Sequence, residues 1–298
     1  MFGGKKVVVT AIRRKNDTIE YFHEEKKVRP LARKLKKIPF LRGLVGLIEA
    51  SATGSKHLNF STERYETQPG QEQTREEQKE KSSNLTMLLG VAVVGVLSFI
   101  FGKLIFTVAP AILADLLFKR WVTNNIEQNL IEGLIKILLL LIYLFAISQT
   151  PLIKRLFQYH GAEHKVINAY EAGVELTVDN VQKFSTLHYR CGSSFIVFTV
   201  LVGVIIYSFF HYDSLWQRIY QRILLLPLVI GTSYEVLQFT NKLRDIPLLR
   251  LIGYPGLWLQ KLTTKEPDDA QVEVAIASFQ KMKELDKGLE SNQVAITG

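Results

Sequence analysis

Residues Ile131 to Leu152 read IEGLIKILLLLIYLFAISQTPL, and this stretch decides the fold. A helix needs roughly 20 apolar residues to cross a bilayer core of about 30 Å. This run has that length, with charge only at Glu132 and Lys136 near its start. Three more stretches meet or approach it: Leu85 to Phe106, Gly192 to Phe210 and Ile223 to Phe239. Mean hydropathy is +0.11 although 22% of residues are charged, so the apolar residues are clustered. A soluble chain of 298 residues cannot bury four such segments at once, whereas a spanning helix satisfies its backbone groups internally. The sequence therefore predicts an α-helical integral membrane protein with four transmembrane helices.

Lys and Arg set the orientation. They are dense before Leu85, recur at Lys154, Arg155, Lys165, Lys183 and Arg190 after the second span, and return at Lys242, Arg244, Arg250, Lys261 and Lys265 after the fourth. The two other links carry little more than Lys119, Arg120, Arg218 and Arg222. By the positive-inside rule both termini and the middle loop face the cytoplasm. The net charge of +9 then reads as a basic face against the anionic lipid bilayer, with no nucleic-acid module beside it. Met1 opens onto Gly3, Gly4 and a basic strand, so no cleavable signal peptide is expected. Cys191 is the lone cysteine, so no intrachain disulfide can form.

Around the spans the chain divides into five regions. Residues 1–67 form a cytoplasmic N-terminal region: β-rich runs Lys6 to Arg13 and Thr18 to His23 flank Asn16-Asp17 as a hairpin, and Leu31 to Ser51 reads as a basic interfacial helix. Residues 68–84 are a polar, Gln/Glu-rich linker. The membrane domain runs over 85–240 and contains the cytoplasmic loop 153–190. Residues 241–290 follow as interfacial and C-terminal helices, with Val272 to Leu285 amphipathic, and 291–298 are a tail. Lys103, Glu132 and Lys136 sit near outer span ends, where long side chains snorkel. No internal repeat of the transporter kind is present.

The chemistry concentrates in Tyr159-His160-Gly161-Ala162-Glu163-His164-Lys165. On a helix His160 and His164 share a face and can present two imidazoles to one metal ion. The order His-x-x-Glu-His is that of the inverzincins, in which the Glu polarises the attacking water. The same spacing also suits two half-exposed histidines with Glu163 as counter-charge. Glu235 lies in the last turns of the fourth span and is expected as third ligand, since an ionisable residue in a span calls for a named partner. His188 competes for that place. Glu171, seven residues past His164, is roughly 10 Å along the axis and too far. Cys191 reads as a small packing residue at a helix start.

Several of these segments together resemble the YqhQ family of uncharacterised bacterial membrane proteins, catalogued as predicted metal-dependent enzymes. They are Pro39 to Gly43, Tyr159 to Glu171, His188 to Phe195, Ser233-Tyr234-Glu235, Pro255 to Gln260, Thr263-Thr264, Glu266-Pro267 and Glu273-Val274-Ala275. The resemblance covers nearly the whole chain and implies the bacterial cytoplasmic membrane. Members open with a Gly-rich stretch ending in Met, so this sequence is expected to start inside that segment. The reading that follows is a metal-dependent hydrolase at the cytoplasmic membrane surface. Zinc is the expected divalent ion, with manganese or iron as alternatives, Glu163 the general base, and a lipid-borne or membrane-embedded molecule the substrate. The alternative is a non-catalytic scaffold or assembly factor in which the His/Glu cluster is structural.

Overall fold

The structure is a computed structural model that describes residues 1–26, 30–66, 102, 104–118, 120–122, 124–243, 246 and 249–297. Of the expected first span only 102 and 104–106 are described, and the linker at 68–84 lies outside the described residues.

The N-terminal hairpin is present, within a three-stranded antiparallel sheet of order β1-β2-β3 (Phe2–Gly3, Val7–Arg13, Ile19–Glu25). Its turn uses Asp17 at φ 63, and the Asn16 side chain accepts from the Thr18 hydroxyl at 2.7 Å, a local bond that favours turns. The expected interfacial helix is two helices, α1 (Pro30–Leu35) and α2 (Leu41–Glu66). The break falls at Pro39, which cannot donate to a helix, and Phe40, which takes φ 66.

Nine further α-helices follow among the described residues: α3 (Ala109–Phe118), α4 (Asn125–Ser148), α5 (Pro151–Glu171), α6 (Val178–Gln182), α7 (Ser194–Ser208), α8 (Leu215–Leu224), α9 (Leu226–Lys242), α10 (Tyr254–Thr263) and α11 (Asp269–Thr297). Asn124 caps α4 by accepting from the Ile126 amide. Pro151 then opens α5, where its missing N–H costs nothing.

Two environments result. The sheet, α5, α6 and α11 share an apolar core of Val7, Val9, Val166, Val181, Val272 and Phe279. In contrast, α4 leaves its apolar side chains exposed, with Leu134 at 68% and Phe145 at 59%. It is long and apolar enough to cross a membrane, and so is the pair α8 and α9 taken together, which bends by 53° where Pro227 enters α9. The apolar helices α3 and α7 are shorter. Glu132 does not snorkel: it is buried against Arg218 and Arg222, whose side chains are also buried, because a buried carboxylate needs paired charge.

Candidate metal centre

The site begins with a close approach. A Cβ on Gly161 would lie 2.2 Å from the Lys265 carbonyl oxygen, so glycine is what lets the segment after α10 run against α5. The Lys265 amide donates to the Phe157 carbonyl there at 3.0 Å. This contact brings the Thr263 carbonyl to 2.8 Å from Nδ1 of His160. One turn later Nδ1 of His164 meets the Thr186 carbonyl at 2.5 Å. The Asn168 side chain secures the same loop by donating to the carbonyls of Ser185 at 2.8 Å and Leu187 at 3.1 Å.

Buried Gln260 of α10 fixes the turn that leads into α7. It accepts from the His188 amide at 2.8 Å and donates to the His188 carbonyl at 2.9 Å and to the Ser194 hydroxyl at 2.9 Å. The turn carries Cys191 to 3.1 Å from Nε2 of His160. With both Nδ1 atoms turned to backbone carbonyls, the Nε2 atoms face inward, the arrangement by which backbone groups orient metal-ligating histidines. One ligand atom each from His160, His164 and Cys191 falls within 4.8 Å of the others. Bonds of about 2.0 Å to nitrogen and 2.3 Å to sulfur hold tetrahedral ligands on the order of 3.5 Å apart. Modest side-chain rotation therefore suffices to fit a zinc-sized ion.

Charge favours the same conclusion. Burial alone would raise the Cys191 thiol, but hydrogen bonds and charge from His160 and His164 bring it down to about 5. Burial likewise opposes charge on His160, yet the Cys191 sulfur, the Thr263 carbonyl and the nearby Glu163 carboxylate hold it above the usual imidazole value. A thiolate is the form that binds metal.

The family model described as a protein of unknown function, DUF1385, matches residues 38–285. The chain belongs to the DUF1385 family. Uncharacterized protein YqhQ of Bacillus subtilis (strain 168) is 56% identical over 293 residues, which cover 98% of this chain and 92% of the relative. The motif resemblance and the full-length similarity thus agree. No solved structure matches.

Within the DUF1385 match the structure unites His160 and His164 but exchanges the expected partner. Glu235 is not in the group: it accepts from Arg42 through both oxygens and from the Phe40 amide at 3.1 Å. Phe40 can sit there because Gly231 has no Cβ, which would lie 2.8 Å from the Phe40 carbonyl oxygen. Cys191 lies beside the two imidazoles instead. Local periodicity carries no trace of this, since Cys191 is on a separate segment. The one available signal was a lone cysteine beside His188 and Arg190 at a helix start. His188 borders the group, its ring 5.8 Å from that of His164 and its Nε2 3.6 Å from Glu171. Glu171 also pairs with Arg190. Glu163 accepts from the Met1 amino group.

Proposed function

We propose that this DUF1385 member is a multi-pass protein of the bacterial cytoplasmic membrane with both termini cytoplasmic, and that it is a metal-dependent hydrolase acting at the inner membrane surface. The observation that carries the reading is the convergence of two backbone-anchored imidazoles on one sulfur. A cysteine nucleophile needs one base, whereas a metal ion uses both nitrogens and the thiolate. His160, His164 and Cys191 would hold zinc, which would supply Lewis-acid chemistry to the site. Glu163, whose charge already reaches His160, would serve there as general base, holding a proton and returning it to a leaving group. His160 and His164 hold position through their Nδ1 bonds, and His188 borders them.

The exposed apolar surface of α4 supports the membrane part of this reading, since only 17% of its apolar window is buried and a soluble core helix would be mostly enclosed. Trp121, Phe209, Trp216 and Tyr220 are each at least 64% exposed near one end of the helices, as in an interfacial aromatic belt. On this reading α7 and the bent pair are the third and fourth of four spans, and the substrate is lipid-borne or membrane-embedded. The scaffold alternative draws on the Arg42–Glu235 clamp, which ties the basic N-terminal region to α9.

Elemental analysis of the purified protein is expected to find about one zinc per chain. His160→Ala, His164→Ala and Cys191→Ser should each lose most of it. Retention of metal by Cys191→Ser would transfer the third place to His188. Glu163→Gln should keep metal and fold but fail to complement a deletion strain. Full complementation by Glu163→Gln with unchanged metal would rule out the general-base role and favour the scaffold.

A further inference from the structure

Ser193 stands where a serine ordinarily caps a helix. It precedes the first residue of α7, yet its side chain makes no cap bond to that helix, although a hydroxyl at this position usually accepts from an amide two or three residues on. Its Oγ lies instead 3.0 Å from Sγ of Cys191, and its amide donates to the same sulfur at 3.4 Å. The Thr263 hydroxyl donates to Oγ of Ser193 at 3.5 Å, which leaves the serine proton for the sulfur. Through its carbonyl Thr263 also accepts from Nδ1 of His160 at 2.8 Å, and Nε2 of that ring is 3.1 Å from the sulfur. These contacts close a ring through His160, Thr263, Ser193 and Cys191. α10 holds it in place, because a Cβ on Gly256 would lie 2.5 Å from Cβ of Ser194 and Gln260 donates to the Ser194 hydroxyl.

The imidazoles and the serine meet the sulfur in different ways. Backbone carbonyls at 2.8 and 2.5 Å call for a proton on Nδ1 of His160 and of His164, so each ring, when neutral, has only a lone pair on Nε2. Metal binding uses those lone pairs and the thiolate together, and neither imidazole is then left to donate to the sulfur. The Ser193 hydroxyl and amide lie outside the donor set of His160, His164 and Cys191 and can stay on the sulfur throughout. A buried anionic sulfur needs such donors, and hydrogen bonds to a ligating cysteine tune how strongly it gives charge to the ion. We propose that Ser193 is the positioning residue of Cys191, its hydroxyl and amide aiming the sulfur toward the two Nε2 atoms and sharing its charge. This role rests on the metal centre proposed above.

The test uses the full chain in detergent, with zinc and cobalt as probes. Because the hydroxyl does not cap α7, Ser193→Ala should leave the melting temperature of the metal-free protein unchanged. It should weaken zinc binding about tenfold, the low end for a lost outer partner of a metal ligand. It should also move the thiolate-to-cobalt absorption band to longer wavelength, since the sulfur lone pair is then less stabilised. Ser193→Thr keeps the hydroxyl and should restore both. Wild-type affinity and band in Ser193→Ala would overturn the role, and so would a loss that Ser193→Thr does not restore, which would assign the effect to packing. A wild type that takes up neither metal would sink the metal centre itself. The thiolate absorbance of metal-free protein at neutral pH then decides for the serine: a shift to longer wavelength is expected in Ser193→Ala, and an unshifted spectrum would overturn the contact.

Discussion

A thiol held near 5 inside a buried site is a thiolate at neutral pH, and Cys191 is the one cysteine of the chain. Thiolate absorbance near 240 nm in metal-free protein therefore reports on this residue alone. It should titrate with a midpoint of about 5 and vanish in Cys191→Ser; a midpoint near the ordinary thiol value of about 8.5 would show that the imidazoles do not reach the sulfur. The sign for stability follows. A depressed acid stabilises the fold fully above its ordinary value and loses that contribution as pH falls toward 5, while His160, raised, contributes below its ordinary value and loses that as pH rises. Acid should thus weaken metal binding first through the imidazole, because ligands must be deprotonated. Glu235 is paired with Arg42 and the Phe40 amide instead. Glu235→Ala should leave metal content unchanged and lower the melting temperature only modestly, because the Arg42 partner is partly solvent-exposed. Loss of metal in that variant would return Glu235 to the ligand set.

At the scale of elements, the centre depends on how closely α5 meets the segment after α10. Gly161→Ala puts a methyl group against the Lys265 carbonyl, a backbone atom that cannot swing away. The helix must withdraw, the His160–Thr263 bond breaks, and metal affinity should fall by about 10–100-fold, as for other lost orienting partners of metal ligands. Metal titration of the variant checks this, and unchanged affinity would show that Thr263 does not orient His160. The same elements explain what the sequence made legible. The hairpin and the shared face of His160 and His164 follow from local spacing, so both are readable residue by residue. Cys191, the Arg42–Glu235 clamp and the burial of Glu132 arise from segments 27 to 193 residues apart. Charge counts cannot assign such partners: Arg218 and Arg222 read as link residues although their i, i+4 spacing aims both at one carboxylate.

Across the whole molecule the two polar clusters mark opposite ends of α7. Cys191 and the Gln260-bound Ser194 stand at its start, while Tyr207 near its end covers Arg222. Thirteen residues at 1.5 Å each separate Ser194 from Tyr207 by about 20 Å, which approaches the thickness of a bilayer core. If α7 crosses the membrane, the His/Cys group and the Arg/Glu cluster face different compartments. Reporter fusions after Ser83, at the exposed turn of Gly173 and at the C-terminus should then report the cytoplasm, and fusions near Asn125 and Ser214 the outside. On that reading the basic residues would put 153–190 inside by the positive-inside rule, and exposed Trp121 and Trp216 would mark the other end. A cytoplasmic report from Ser214 would turn α7 into a re-entrant element and put both clusters on one side. An external report from Gly173 would invert the bundle, separate His160 and His164 from the cytoplasm, and remove the proposed hydrolase from the inner surface altogether.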